Sequence, residues 1–227
     1  WFLAACLIAV LGIGYWLSRP PGQETLYLSA RAAMDGDDEV AQREARDRYM
    51  LPYLERFPDG QFAEEIRTWA DGIQMDVLKA QAEKKLKGNT EPRDDYEAAY
   101  VEALRAAQDT QRNPLESIEL LYQLTMMQAK SEDAPHWVML AERELAQARD
   151  AFIDREDRDE LIRARMTTAE DAFAKGDADE AVPVWISFSA VFSGVREVED
   201  FYTYSRRRAN GETHPLPAPA DAANPAG

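Results

Sequence analysis

The chain has 227 residues, of which 42 are acidic and 26 are basic, and its formal net charge at pH 7 is −16. A chain of this length can form one domain of ordinary size with a substantial hydrophobic core. A surface this acidic repels phosphate backbones, so nucleic acid is not expected as a partner. The single cysteine, Cys6, excludes an intrachain disulfide and a thiolate metal site.

The first seventeen residues are apolar and carry no charged side chain. At about 1.5 Å per residue, a helix of this length spans roughly 25 Å, close to the hydrocarbon core of a bilayer. We therefore interpret residues 1–17 as a transmembrane helix truncated at its start, and residues 18–22 as a linker. Cys6 lies in a lipobox-like sequence, but in a lipoprotein signal the apolar stretch precedes the cysteine. A secretory signal would need a small-residue cleavage site after residue 17, and the sequence there is a poor one.

Basic residues are scarce next to this apolar segment, where Arg19 is the only one before Arg31. Lys and Arg are enriched on the cytoplasmic side of membrane helices. The sequence therefore predicts a single-pass membrane protein whose water-soluble region is extracytoplasmic, in the periplasm of a bacterial cell.

Residues 23–210 show helical periodicity almost throughout and no sustained strand-like alternation. This pattern predicts an all-α domain of roughly eight helices. Five helices have bounds that the sequence marks, namely about 24–34, 38–56, 61–86, 114–129 and 195–208. Further helical apolar faces lie within residues 96–107, 137–152, 162–173 and 185–192. The first of these faces carries Tyr96, Ala99, Tyr100, Ala103, Leu104 and Ala107.

Local signals refine these elements. Pro52 lies inside the second helix and should remove one backbone hydrogen bond and kink it. Asn113 and Pro114 are typical of a capped helix start, and the wide apolar arc that follows predicts a central helix. The mixed-sign run 154–160 is either a solvated part of a helix, which we favour, or a short break. Residues 211–227 combine prolines with alanines and are predicted to be disordered.

One stretch carries small residues, a turn glycine and a large residue at helical spacing, namely Ala169, Ala172, Gly176, Ala181 and Trp185. This stretch resembles the tetratricopeptide motif, in which small residues let two helices approach closely. Shorter matches surround Gly36 and Asn113, but their spacing does not fit a regular array. The sequence therefore predicts an irregular tetratricopeptide-like stack of helical hairpins over 23–210. The alternative is ordinary turn chemistry between unrelated helices.

A second resemblance lies in residues 54–65, with the sequence Leu-Glu-Arg-Phe-Pro-Asp-Gly-Gln-Phe-Ala-Glu-Glu. This stretch resembles a joint common in periplasmic tetratricopeptide proteins. With its flanks, over about 32–150, it also resembles the extracytoplasmic C-terminal region of bacterial transmembrane serine/threonine kinases. The resemblance implies a kinase domain before Trp1. The chain itself has no kinase catalytic motif and is not expected to transfer phosphate.

Residues that could carry chemistry are few. The two histidines, His136 and His214, are far apart in sequence and have no companion motif. The acidic stretch around Gly36 lacks the closing glutamate of a calcium loop. The sequence therefore predicts no catalytic residue, no cofactor, no metal site and no enzymatic activity.

Large aromatic side chains offer the one candidate binding feature. Trp69, Trp137, Trp185 and Phe188 lie on helical apolar faces, where core packing explains them most simply. The alternative is that they line a groove for a protein or peptide partner. The predicted function is a membrane-anchored sensor or scaffold domain, for example the outer part of a receptor kinase. The alternative is an envelope-assembly or membrane-complex adaptor without a signalling domain.

Overall fold

A computed structural model describes residues 21–128 and 133–218. Within these ranges 76 % of the residues are helical and none is in a strand, so the prediction of an all-α protein is confirmed. The predicted transmembrane segment, residues 1–17, and the last nine residues lie outside the described ranges.

The predicted localisation, a single-pass membrane protein, is contradicted by the helices that the structure describes. None of the helices in residues 21–128 and 133–218 combines the length and the apolar composition needed to cross a membrane. The helices of 18 or more residues each carry several charged side chains, and the others are shorter. The apolar stretch on which the prediction was based is not among them.

The chain divides into two compact units, with the boundary between Asp76 and Val77. The sequence predicted one domain over residues 23–210. The boundary falls inside a single long helix, which is why neither a loop nor a change in composition marks it in the sequence.

The first unit contains α1 (Gln23–Met34), α2 and the first half of α3 (Ala63–Gly88). Helix α2 has three parts, which are Glu39–Ala45, a π-helical turn Arg46–Met50, and Leu51–Arg56. The core of this unit is formed by apolar side chains of all three helices, among them Leu26, Met50, Tyr53 and Ile66.

The π-helical turn lies immediately before Pro52. Proline has no N–H to donate, and its ring would clash with the carbonyl four residues earlier in a regular α-helix. A π-helical turn widens the backbone at that point. The predicted disturbance of this helix by Pro52 therefore takes the form of a local π-helix.

The joint between α2 and α3 depends on a glycine. A Cβ atom on Gly60 would lie 2.6 Å from the Tyr53 hydroxyl and 2.9 Å from Oε1 of Gln23. The same hydroxyl accepts a hydrogen bond from the backbone N–H of Phe62 at 3.1 Å. Any larger residue at position 60 would displace this bond. Helix α3 begins at Ala63, two residues later than the sequence predicted.

The second unit contains the rest of α3 and six further helices. These are α4 (Asp95–Gln108), α5 (Pro114–Thr125), α6 (Ala134–Ile153), α7 (Arg158–Lys175), α8 (Ala178–Val191) and α9 (Glu199–Ala209), the last preceded by a 3₁₀ turn, Arg196–Val198. Sequence neighbours pack on each other, α4 on α5, α5 on α6, α7 on α8 and α8 on α9.

Helix α5 contacts α4, α6, α7 and α8, so the prediction that it is central is confirmed for the second unit. Its start is fixed as predicted, because the Asn113 side chain accepts a hydrogen bond from the Leu115 N–H at 3.0 Å, with Pro114 in the first turn. The Asn113 amide also donates to the Leu161 carbonyl at 2.7 Å, which ties this cap to α7.

Two segments of the second unit lie outside its helices. Residues 154–157 break the chain between α6 and α7 instead of continuing a helix. Residues 211–218, predicted to be disordered, follow the core without forming a helix. There Leu216 packs against the apolar cluster of α7–α9, and the Pro217 carbonyl accepts a hydrogen bond from Arg163 at 3.4 Å.

Candidate functional site

The structure places the four aromatic residues that the sequence singled out mainly in the interior. Trp137, Trp185 and Phe188 are almost completely buried, at 0, 0 and 2 % exposure. Trp69 is partly buried and stacks on Tyr27, with ring centres 6.0 Å apart. Trp137, Trp185 and Phe188 therefore belong to the core of the second unit, and Trp69 packs against that of the first.

An open groove lies elsewhere in the second unit, where α4 and α6 flank α5. Two adjoining cavities of about 450 and 280 Å³ share the side chains of Ala107, Ser117 and Ala148 in their linings. Because they share these residues, we treat the two cavities as one groove, the α4–α6 groove.

Small and aliphatic side chains form most of the groove. The α4 wall contains Ala103, Leu104 and Ala107. On the α6 side, Ala148 and Ala151 face it. Helices α4 and α6 each pack on α5, and their small facing side chains leave a space between them. Ser117, Ile118 and Leu121 of α5 form the floor of this space.

The cavity of about 450 Å³, which we call the wider cavity, is surrounded by charged side chains. Arg112 contacts Glu102 at 3.0 Å, and Arg155 makes two hydrogen bonds of 2.8 Å with Asp157. The hydrogen bond from Arg155 lowers the pKa of the Asp157 carboxyl. These exposed pairs carry no net charge and give the rim fixed polar groups.

The cavity of about 280 Å³, which we call the narrower cavity, is lined by a buried tyrosine, Tyr100. Tyr100 on α4 is 0 % exposed, and within the described residues its hydroxyl has no hydrogen-bond partner. Its ring packs on Trp137 at 5.4 Å between centres. Burial raises the pKa of Tyr100 well above its usual range, and the negative charge of Glu144 raises it further. Glu144 lines the same cavity.

Ion pairs fix the helices behind and beside the groove. Glu119 on α5 makes a bidentate pair with Arg165 on α7, at 3.0 and 2.7 Å. At the side of the narrower cavity, Lys79 of α3 contacts Oε1 of Glu144 at 2.8 Å. The floor and one wall of the groove are therefore held by charge-assisted hydrogen bonds as well as by packing.

A separate polar cluster joins α7, α8 and α9. Arg208 is 8 % exposed, and its guanidinium lies 4.5 Å from the Trp185 ring centre and 5.0 Å from that of Phe173. Two of its nitrogens donate to Glu170 at 2.6 and 2.7 Å, and the Tyr204 hydroxyl donates to the same carboxylate. This cluster is closed on itself and holds three helices together.

Part of the groove was visible in the sequence. Of the six residues that the sequence placed on one apolar face of the fourth helix, four line the narrower cavity, namely Tyr100, Ala103, Leu104 and Ala107. Tyr96 and Ala99 do not line it. The opposite wall, on α6, could not be predicted from the sequence, because the alanines of α6 share a face with large core residues. Small residues on two helices mark a groove only when those two helices pair.

Among the described residues, no group of three histidine, cysteine or acidic side chains is arranged to hold a metal ion. The chain matches no protein-family model, no curated protein and no solved structure.

Proposed function

We propose that this protein is a binding module whose α4–α6 groove holds a segment of a partner protein. The observation that carries the proposal is the continuity of two cavities, of about 450 and 280 Å³, over Ser117, Ile118 and Leu121 of α5. Their volumes and small-residue walls fit a peptide segment, and grooves between helices commonly bind peptides in this way.

The packing of α7 on α8 supports the finer proposal of a tetratricopeptide-like stack of hairpins. Ala169, Ala172 and Ala181 are all buried where these two helices meet. Gly176 ends α7 with a positive φ of 96°, the conformation that lets the chain reverse directly into the next helix. Stacked hairpins present extended grooves to partners, which agrees with a binding role.

A peptide selection tests the proposal and does not require the natural partner. Random dodecapeptides displayed on phage are selected on the whole chain, and each selected peptide is measured by isothermal titration. Ala107→Trp fills the groove where the two cavities meet, and Ala107 is exposed, so the larger side chain need not disturb the core. We expect at least an about tenfold weaker affinity for this variant.

The matched control is Ala164→Trp, an exposed alanine on α7 that lines neither cavity. It should leave every dissociation constant within about twofold of the wild-type value. Ala148→Leu, on the opposite wall, should weaken binding as Ala107→Trp does. The proposed site would be contradicted if Ala107→Trp and Ala148→Leu bound the peptides as tightly as the wild type does. It would also be contradicted if no peptide were selected.

A further inference from the structure

Tyr100 lines the narrower cavity, and the hydrogen-bonding capacity of its hydroxyl is unused among the described residues. The Tyr100 hydroxyl is buried and has no partner in the part of the chain that the structure describes. Leaving such a group unpaired costs free energy in the unbound protein, because the hydroxyl has lost its water. A phenylalanine would fill the same volume without that cost, so the hydroxyl is explained best by a ligand that completes it.

The lining of this cavity defines what would complete the hydroxyl. Apolar side chains make up most of it, which are Ala103, Leu104, Ala107, Leu121 and Ala148. Its polar members are Tyr100, Ser117, Glu144 and Gln147, of which only Glu144 is charged. At about 280 Å³, the space admits one long side chain with an aliphatic stem and a polar end.

Acceptor groups near Tyr100 can receive a cationic end. Glu144 and Glu83 place negative charge there, which the positive charges of Arg143 and Lys79 balance. Lys79 and Arg143 contact Glu144 at 2.8 and 3.9 Å, and both contacts are with Oε1. A carboxylate has two oxygens and accepts several hydrogen bonds, so it can serve a further donor. The chain also carries a net charge of −16, which attracts cationic partners over longer distances.

We propose that the narrower cavity binds a lysine or arginine side chain of the partner segment. The stem lies along the alanine and leucine wall, and the cationic nitrogen donates to Glu144 and to the oxygen of the Tyr100 hydroxyl. Long cationic side chains bury their methylene groups in this way while their charged end meets polar groups. This inference rests on the proposed function and names the chemistry of the partner.

The test uses peptides from the selection whose binding depends on Ala107. In each peptide, every lysine or arginine is replaced in turn by norleucine, which keeps the aliphatic stem and removes the charge. One such replacement should weaken binding to the wild-type chain by about tenfold. The same replacement should cost less than about threefold in Glu144→Gln and in Tyr100→Phe, because the groups that recognise the charge are gone.

Two controls separate recognition from structure and from overall charge. Glu142→Gln removes an exposed carboxylate from the same helix and should preserve the full tenfold effect. Tyr100→Phe should not lower the melting temperature of the free protein, since the hydroxyl that it removes has no partner among the described residues.

The outcomes distinguish this inference from the proposed function. Groove-dependent peptides that contain no essential cationic residue would overturn the inference and leave the binding role intact. So would a norleucine effect of equal size in the wild type, Glu144→Gln and Tyr100→Phe. If no selected peptide depends on Ala107, both the inference and the proposed function fail.

Discussion

At the contact between α5 and α7, a carboxylate and a guanidinium are buried together. The side chains of Glu119 and Arg165 are 9 and 17 % exposed, and two hydrogen bonds join them. Burial raises the pKa of Glu119, and the hydrogen bonds and positive charge of Arg165 act against that rise. Burying such a pair costs free energy, because both charges lose their water. If one partner is removed, the other charge stays buried without compensation.

Arg165→Gln should therefore lower the free energy of unfolding at pH 7 by about 3–5 kcal/mol. In the variant the folded-state pKa of Glu119 lies further above its value in the unfolded chain, so the protonated carboxyl is favoured in the fold. The loss of stability relative to the wild type is then smallest in acid and grows as the pH rises through that folded-state pKa. Urea unfolding at pH 4 and pH 7 measures both values.

The control for this prediction is Arg149→Gln, which removes an exposed pair with the adjacent Asp150. It should change the free energy of unfolding by less than about 1 kcal/mol at either pH. A loss for Arg165→Gln that is the same at pH 4 and pH 7 would contradict the assignment of Glu119 as the stranded charge.

The position of each helix was largely predictable, while the breaks between helices depended on long side chains. Helix α1, α2 and the start of α5 agree with the sequence prediction to within one residue. The sequence left open whether residues 154–160 form a solvated helix segment or a short break, because the contacts that stabilise the break cannot be read from a charge pattern. Arg158 donates to the Ile153 carbonyl at 2.8 Å, which caps α6, and Arg155 clamps Asp157 within the turn.

Glycine has opposite roles in two helices, and alanine scanning can separate them. Gly176 ends α7 at φ 96°, where a Cβ atom is strained, so Gly176→Ala should destabilise the protein by about 1 kcal/mol. Gly72 lies inside α3 with open space around its Cα. Gly72→Ala should therefore stabilise by about 0.5–1 kcal/mol.

Urea unfolding followed by circular dichroism measures both changes, and each variant serves as the control for the other. Stabilisation by Gly176→Ala would show that the turn after α7 does not require a left-handed residue. The effects should appear independently, because the two glycines belong to different compact units.

At the scale of the whole molecule, the division into two units is encoded in the phase of one helix. Buried residues of α3 recur at steps of three and four up to Ile73, and the next buried residue, Leu78, follows after five. Leu78 lies off the apolar stripe that contains Ile66, Ala70 and Ile73, so this helix packs on two of its sides. That the change of stripe marks a boundary between units depends on which helices each stripe contacts, and a stripe alone does not specify them.

The proposed groove could be predicted only in part, because the sequence drew attention to the largest side chains. Trp137 and Trp185 lie in the interior, since burying a large ring releases the most water. The groove is made instead by the smallest residues, such as Ala107 and Ala148, whose contribution is the space that they leave.

Hydrogen exchange with and without a selected peptide tests the central claim most directly, because it shows where on the whole chain a partner segment binds. The account predicts slower exchange in fragments from α4, α5 and α6, and unchanged exchange in α1, α2 and α9. In the same experiment on the Ala107→Trp variant, the peptide should no longer slow exchange in these three helices. Protection confined to the first unit or to α7–α9, with none in α4–α6, would contradict the assignment of the groove as the binding site.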